Sequence, residues 1–104
     1  MGAAYAPMGD DTMDIKTLGD FRRAMRAGPY AWPGGYPCYF VMDDGAAVSF
    51  EGARANLRQI IEAIAYKQAN GWRVVGVEIN WENPDLICAE TGEPIPSAYG
   101  ADHE

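Results

Sequence analysis

The segment LICAETGEPIPSAY, residues 86–99, holds the residue types in this chain that come closest to a metal site. Cys88, Gly92 and Ile95 have the spacing of a zinc knuckle, Cys-x-x-Cys-Gly-x-x-Ile, but Thr91 stands where the second cysteine would be. A structural zinc site needs four ligands such as thiolate or imidazole, and a hydroxyl is a poor substitute. Two interpretations stay open: a knuckle-shaped turn that has lost its metal, and an ordinary turn that contains one cysteine.

The partner motif that such a zinc site requires is also incomplete. A second Cys-x-x-Cys would belong at the start of the main helix, where Ser49 and Gly52 have the right spacing but the wrong side chains. A set of Ser, Gly, Thr and Cys cannot hold Zn²⁺ usefully. The sequence therefore predicts no bound metal and no other cofactor.

Groups suited to catalysis are sparse. The only histidine, His103, lies in a polar tail, so neither Cys38 nor Cys88 has an evident base to activate it. Glu78 and Glu82 share one face of a predicted strand, where a rise of about 3.4 Å per residue sets them roughly 13 Å apart. That separation is too large for the carboxylate pair of a glycosidase. The sequence therefore predicts a protein that is not an enzyme.

Charge is distributed unevenly along the 104 residues, whose formal net charge is −7. Arg73 is the last basic residue, and seven acidic residues follow it. Four of the eight basic residues fall early in the chain, at Lys16, Arg22, Arg23 and Arg26. An acidic protein does not attract nucleic acid through its net field, but it can be steered toward a basic partner. Solubility alone is the other explanation of the acidic charge.

The expected compartment follows from the absence of targeting signals. The first residues, MGAAYAPMGDDTMD, have no basic start and no apolar block, and no apolar run has the length that crosses a bilayer. We therefore expect a cytoplasmic protein without membrane contact. Cys38 and Cys88 should stay reduced there, and Cys38 lies in an apolar run typical of a buried residue.

Hydrophobic spacing divides the chain into a disordered leader at 1–13, a single domain at 14–100 and a polar tail at 101–104. The predicted elements are a helix at 17–27, strands at 38–42 and 46–50 around Asp44-Gly45, a helix at 51–70, a strand at 72–82 and an extended segment after a turn at 91–92. This order predicts an α+β fold. A small, mainly antiparallel sheet would carry one long amphipathic helix packed across it and a short N-terminal helix.

Two apolar faces are expected to meet in the core. The face of the long helix consists of Ala53, Leu57, Ile60, Ile61 and Ile64. The inner face of the strand at 72–82 consists of Val75, Val77, Ile79 and Trp81, and its solvent face of Glu78, Asn80 and Glu82.

The segment GPYAWPGGYP, residues 28–37, interleaves aromatic residues with prolines and glycines, so it can be neither a helix nor a central strand. Its aromatic residues are Tyr30, Trp32 and Tyr36. On a loop of this kind they either fold back to complete a small core or face a partner. Both interpretations stay open.

Most of the chain resembles a family of small uncharacterised proteins from bacterial, phage and prophage genomes. The resemblance runs from Thr17 through TLGDFRRAMRAGPYAWPGGYP and GWRVVGVEINWENPDL to IPSAYG. Some members carry cysteines at the positions of 49, 52, 88 and 91, a zinc-ribbon-like pair of Cys-x-x-Cys motifs. Only Cys88 is kept here, so the resemblance implies a degenerate zinc ribbon stabilised by packing instead of metal. It implies no established activity.

The first functional hypothesis is a non-enzymatic, acidic interaction protein that inhibits or docks on a basic host protein or ribonucleoprotein complex. The resemblance makes an anti-defence inhibitor, such as a phage anti-CRISPR protein, its most concrete form, with carboxylates that mimic nucleic-acid phosphate. The protein itself would bind no nucleic acid directly. The predicted contact residues are Glu78, Glu82, Asp85, Glu90, Glu93, Tyr30, Trp32 and Tyr36.

The second hypothesis is a nucleic-acid-associated regulatory domain derived from a zinc ribbon that has lost its metal. It would use the early basic residues Lys16, Arg22, Arg23 and Arg26. Salt-dependent binding to bare DNA or RNA separates the two hypotheses, because only the second predicts it. Both are compatible with a dimer.

Overall fold

The computed structural model describes residues 12–31 and 35–98. Its elements are β1 Thr12–Asp14, α1 Leu18–Ala27, β2 Tyr30–Ala31, β3 Tyr36–Met42, β4 Ala47–Val48, α2 Phe50–Ala55, α3 Leu57–Ala65 and β5 Val74–Ile79. The strands pair antiparallel in the order β1-β5-β3-β2, with β4 also paired to β3. The fold is therefore α+β with a small antiparallel sheet. None of the helices in these two ranges is long and apolar enough to cross a bilayer.

The centre of the sheet is the antiparallel pair of β3 and β5. Phe40 lies opposite Val77, and Tyr39 lies opposite Glu78. On its other edge β3 pairs with two short strands, β2 near its start and β4 near its end. Because residues opposite each other point to the same face, Phe40 and Val77 share the inner face, and Tyr39 and Glu78 share the outer face.

An aromatic cluster joins the inner face of the sheet to two of the helices. Phe40 is fully buried, and its ring lies between the ring of Phe21 in α1 and the ring of Phe50 in α2. The centroid distances are 5.4 Å to Phe21 and 4.3 Å to Phe50. Contacts of this kind stabilise the fold beyond the area that they bury.

The apolar face of α3 completes the core. Ile60 is fully buried and Ile64 is 6% exposed. Leu57 and Ile61 are only half-buried at the margin of the same cluster. The fully buried stripe is therefore narrower than the face predicted from the sequence.

Helix α1 begins with a capping box. The Thr17 Oγ1 atom accepts a hydrogen bond from the Asp20 N–H, and the Asp20 carboxylate accepts one from the Thr17 N–H, each at 3.1 Å. The backbone hydrogen bond from Lys16 is the largest cause of a lowered pKa for the Asp20 carboxyl. The helix ends at Gly28, whose φ of 91° lies in the left-handed region.

The prediction of one long helix at 51–70 is wrong, because two helices meet at Asn56. In a continuous helix the Gly52 carbonyl would accept the Asn56 backbone N–H. Here that carbonyl accepts the Asn56 side-chain Nδ2 at 2.9 Å, and the Asn56 N–H bonds to the Ala53 carbonyl at 3.1 Å. Asparagine side chains compete with the helix backbone in this way, and the non-helical φ and ψ of Asn56 interrupt the helix between α2 and α3.

Helix α3 also ends earlier than the predicted stop at 70–71. A Schellman motif closes it, with the Gln68 N–H bonded to the Ala63 carbonyl at 2.9 Å and the Lys67 N–H bonded to the Ile64 carbonyl at 3.3 Å. Lys67 has a φ of 55°, at the position that glycine usually takes. No sequence signal marks this stop, because lysine is ordinarily a good helix former.

Strand β1 takes up the end of the predicted leader at 1–13. Met13 lies opposite Val77 in the sheet, and the next residue pair continues with Asp14. Beyond the strand the Ile15 N–H bonds to the Val75 carbonyl at 3.0 Å, and the Ile15 side chain is buried. Residues 12 and 13 therefore belong to the folded domain. The rest of the predicted leader and the predicted tail at 101–104 lie outside the described residues.

Candidate functional site

The four positions of the degenerate knuckle, Ser49, Gly52, Cys88 and Thr91, lie together in the structure. The Cys88 Sγ atom accepts hydrogen bonds from the Ser49 N–H at 3.3 Å and from the Ser49 hydroxyl at 3.4 Å, across 39 positions in sequence. It accepts a third from the Thr91 N–H at 3.4 Å. A Cβ atom built on Gly52 would lie 2.9 Å from the same sulfur. Three neighbours therefore surround one thiol.

The turn that carries Cys88 is built by backbone hydrogen bonds. The Cys88 N–H bonds to the Glu93 carbonyl at 2.9 Å, and the Gly92 N–H bonds to the Cys88 carbonyl at 2.9 Å. Gly92 has a left-handed φ of 73°, which favours glycine in zinc knuckles and ordinary turns alike. The Ala89 N–H bonds to the Ala47 carbonyl of β4 at 2.8 Å and fixes the turn to the sheet. Both interpretations of the segment fit this geometry.

The surroundings of Cys88 favour its thiolate form. Burial raises the pKa of the Cys88 thiol, but the hydrogen bonds from Ser49 and Thr91 outweigh burial and lower the pKa to about 7. The side chain is only 1% exposed, so it is shielded from bulky reagents. Within the ranges that the structure describes, no group of three or more His, Cys, Asp and Glu side chains is arranged to hold a metal ion.

Asn80 fixes the segment that follows β5 to the core. Its Nδ2 donates to the carbonyls of Ile95 at 3.2 Å and Pro96 at 3.0 Å, and its Oδ1 accepts the Asn83 N–H at 3.2 Å. Asn80 is 4% exposed, so the prediction that it points to solvent is wrong. The reason is that the segment of Ile95 and Pro96 packs on Asn80 and accepts its side-chain hydrogen bonds, although the Asn80 N–H still bonds to the Pro37 carbonyl of β3 at 2.9 Å.

Residues 82–95 form what we call the acidic hairpin. Its two arms are joined by the Ile95 N–H to the Leu86 carbonyl at 2.8 Å and by the bond from Cys88 to Glu93. Its exposed acidic side chains are the predicted contact residues Glu82, Asp85, Glu90 and Glu93. The ion pairs found in the described ranges join Arg23 to Asp20 and Arg58 to Glu62. The hairpin carboxylates therefore have no cationic partner within the described part of the chain.

Glu78, the remaining predicted acidic contact, differs from the hairpin acids. It lies half-buried on the outer face of the sheet, and its Oε1 accepts a hydrogen bond from the Tyr39 hydroxyl at 3.1 Å. Burial, and after it the negative charge of Glu78, raise the pKa of Tyr39 to about 12. Glu78 is therefore already engaged within the fold.

The predicted aromatic contacts have three different outcomes. Tyr30 in β2 is 45% exposed. Tyr36 is half-buried, and its ring lies 4.6 Å from the ring of Trp81, so it packs within the fold. Trp32 lies outside the described residues. Of the described two, only Tyr30 presents a large exposed ring.

Tyr30 and Glu93 line the same cleft, which has a volume of about 790 Å³. The cleft also borders Cys38 of β3 and the exposed Glu51 and Arg54 of α2. It therefore joins one predicted aromatic contact to one predicted acidic contact. Sequence reasoning missed Glu51 and Arg54, because both look like ordinary solvent-exposed helix residues. Their one signal was a position in the two turns after Ser49, the residue that caps α2.

The basic residues of the second hypothesis lie on or beside α1. Arg22, Arg23 and Arg26 are exposed. Arg23 forms an ion pair with Asp20. Arg26 lies in the last turn, where the helix dipole favours positive charge. Local stabilisation of α1 accounts for these two residues.

Comparison with protein-family models, curated proteins and solved structures finds no match to this chain. Its functional assignment therefore rests on the cleft, the acidic hairpin and the charges around them.

Proposed function

We propose that the chain is a protein-binding domain that receives a basic side chain of its partner in the cleft between β2, α2 and the acidic hairpin. The observation that carries this proposal is that Tyr30 and Glu93, distant in sequence, line one cleft of about 790 Å³. An aromatic face and a carboxylate together suit an arginine, which stacks on the ring and pairs with the acid. The function proposed is binding without catalysis.

Helix α2 supplies a second carboxylate to this cleft. Glu51 lies in the first turn of α2 and borders the cleft, as does Arg54 in the last turn. With Glu93, the charged lining is two carboxylates and one guanidinium, a net charge of −1. No ion pair in the described ranges joins Arg54 to Glu51 or Glu93. An incoming guanidinium would therefore meet carboxylates that are not yet neutralised.

The rest of the acidic hairpin would steer the partner toward the cleft. Glu82, Asp85 and Glu90 are exposed on the same hairpin as Glu93. Exposed charges of one sign raise association rates with an oppositely charged surface, and salt weakens this effect. Because Asn80 bonds to Ile95 and Ser49 bonds to Cys88, the hairpin that carries these carboxylates is held to the rest of the fold.

The resemblance to phage and prophage proteins supports a narrower form of the proposal. In that form the partner is a basic, nucleic-acid-handling host protein or ribonucleoprotein complex in the cytoplasm, and the chain is an anti-defence inhibitor of the anti-CRISPR type. The hairpin carboxylates would occupy the places of nucleic-acid phosphates. The absence of any basic residue after Arg73 supports such mimicry.

Calorimetric titration with a hexa-arginine peptide tests the proposed function. We expect Glu93→Gln and Tyr30→Ala each to weaken peptide binding by about fivefold to tenfold, because each removes one side of the arginine site. Glu62→Gln is the matched control, since Glu62 is an exposed acid on α3 that does not line the cleft. If Glu62→Gln weakened peptide binding by the same factor, the peptide would be recognising only the net charge of the protein. Tight binding of duplex DNA by the unmodified chain would favour the second hypothesis instead.

A further inference from the structure

A second cleft, of about 400 Å³, brings together three cations from separate parts of the chain. Lys16 precedes α1, Lys67 follows α3, and Arg73 precedes β5. The other residues that line the cleft are Asp14, Ile15, Ile64, Val74 and Val75. Its volume is within the range of small-molecule sites, toward the lower end.

The charge of this cleft is opposite to that of the whole molecule. Three of the eight basic residues of the chain line it, with one acid, in a protein whose net charge is −7. In the described ranges, the ion pairs involve Arg23 and Arg58, so none of the three cleft cations is neutralised by a carboxylate there. At physiological salt the Debye length is about 8 Å, so this local cluster decides what the cleft attracts.

Backbone geometry at Lys67 adds a second observation. The residue has a left-handed φ of 55° at the helix-terminating position where glycine is usual. A lysine there carries a conformational cost that glycine would avoid. The chain therefore has a positively charged lysine beside the cleft, at a backbone position where lysine is conformationally unfavourable.

Arg73 is held in place by the same turn. Its Nε donates to the Gln68 carbonyl at 2.9 Å, and its own carbonyl accepts the Asp43 N–H at 2.8 Å. A guanidinium fixed at one nitrogen keeps its remaining N–H groups for an anion, and its forked geometry suits a phosphate or a carboxylate. The two lysines add compact positive charge that favours a dianion over a monoanion.

We propose that this cleft binds a phosphomonoester of a small organic molecule, with Lys16, Lys67 and Arg73 around the phosphate group. The organic part lies along the apolar floor of the cleft, where Val75 is half-buried and Ile15 and Ile64 are buried. The exposed Asp14, which also lines the cleft, accepts a hydrogen bond from a donor on the ligand and repels a second anionic group. This site is separate from the proposed protein-binding cleft, with which it shares no lining residue.

Titration of the full chain with phenyl phosphate, followed by NMR chemical shifts, tests the assignment. We expect saturable binding with shifts centred on Lys16, Lys67 and Arg73. Inorganic phosphate should bind about threefold or more weakly, because it leaves the apolar floor uncovered. Benzoate should bind about tenfold more weakly, because it carries one charge and two oxygens. If benzoate bound as tightly as phenyl phosphate, the assignment of a phosphate site would be wrong. If inorganic phosphate bound as tightly as phenyl phosphate, the proposal that the site also contacts an organic group would be wrong.

Variants distinguish binding of the phosphate at this cleft from a general effect of positive charge on the protein surface. Lys67→Gly and Lys16→Gln should each weaken phenyl phosphate binding by about fivefold or more, since each removes one cation from the anion. Lys67→Gly should leave the fold at least as stable, because glycine fits a left-handed φ, so a loss of binding cannot be ascribed to unfolding. Arg58→Gln, on the exposed side of α3, is the control and should change nothing. Equal loss in Arg58→Gln, or no loss in the two lysine variants, would overturn the proposal.

Discussion

The Ser49 hydroxyl donates a hydrogen bond to the Cys88 Sγ atom across 3.4 Å, between residues that lie 39 positions apart in sequence. The same oxygen accepts the Gly52 N–H at 2.9 Å and thereby caps α2. One hydroxyl therefore links the start of α2 to the acidic hairpin. These two elements are also walls of the proposed protein-binding cleft, so this hydrogen bond joins two of its sides.

The stability of the fold should depend on pH through Cys88. The ordinary thiol pKa of 9.0 is lowered to about 7 in the folded chain, so folding favours the thiolate. A lowered folded-state pKa gives stability that is present above the unfolded pKa and is lost as the pH falls through the folded pKa. The free energy of unfolding should therefore rise by about 2 kcal/mol between pH 7 and pH 9 through this group.

Urea unfolding of the chain and of Cys88→Ser across that pH range measures the contribution. The serine variant keeps a small hydrogen-bond acceptor but does not titrate in this range. Its stability curve should be flatter than that of the unmodified chain by about the same 2 kcal/mol. Parallel curves for the two proteins would show that the thiol is not perturbed.

Gly52→Ala should destabilise the fold even though alanine favours helices. The added Cβ atom would lie 2.9 Å from the Cys88 Sγ atom and 3.2 Å from a methyl carbon of Val48. Overpacking of this kind costs about 1–3 kcal/mol, more than the gain in helix propensity of at most about 1 kcal/mol. Thermal unfolding measures the loss. The double variant Gly52→Ala, Cys88→Ala should show a favourable coupling between the two changes, and strict additivity would contradict the contact.

Zinc binding should follow if cysteines are placed at the degenerate positions. The variant Ser49→Cys, Gly52→Cys, Thr91→Cys would surround one point with four thiols, of which Cys88 is already present. The Cys88 side chain must rotate away from Gly52, and coordination to metal would drive that rotation. We expect about one Zn²⁺ per chain in this variant and none in the unmodified protein. Elemental analysis that finds stoichiometric zinc in the unmodified protein, or none in the variant, would contradict this.

The α+β class and the sheet could be predicted because they follow from hydrophobic spacing and from the Asp44-Gly45 turn. The boundaries of α2 and α3 could not. The break at Asn56 depends on a side chain that competes for the Gly52 carbonyl. The end of α3 depends on a left-handed backbone at Lys67, a conformation that lysine does not favour. Both are decided by tertiary context rather than by local propensity.

Some residues of the candidate site could be predicted, but Glu51, Arg54 and the assembly of the cleft could not. Exposed acids on the hairpin were expected from sequence, and Tyr30 was expected as an aromatic contact. That Tyr30 and Glu93 line one cleft with Glu51 depends on the placement of β2, α2 and the hairpin, which no local pattern encodes. Asn80 was misassigned because its burial depends on Ile95 and Pro96, which lie 15 and 16 positions later in the chain and accept its side-chain hydrogen bonds.

Substitutions of two neighbouring isoleucines on α3 should have different effects on the stability of the fold. Ile60 is fully buried, whereas Ile61 is half-buried at the margin of the core. Ile60→Ala should lower the free energy of unfolding by about 2–5 kcal/mol, and Ile61→Ala by about half as much, because less apolar area is lost. Chemical denaturation of both variants gives the comparison. A larger effect at Ile61 would show that α3 is rotated relative to the sheet.

The central claim is that a basic partner binds in the cleft of Tyr30, Glu51 and Glu93, and backbone NMR titration with a hexa-arginine peptide tests it most directly. Any acidic protein is expected to bind such a peptide to some extent, so the affinity alone does not test the claim. The residues whose chemical shifts change do test it. We expect the largest shifts to cluster at these three residues and along the acidic hairpin, and Glu93→Gln to remove them selectively. Shifts spread evenly over all exposed acids, including Glu62 and Asp14, would contradict it.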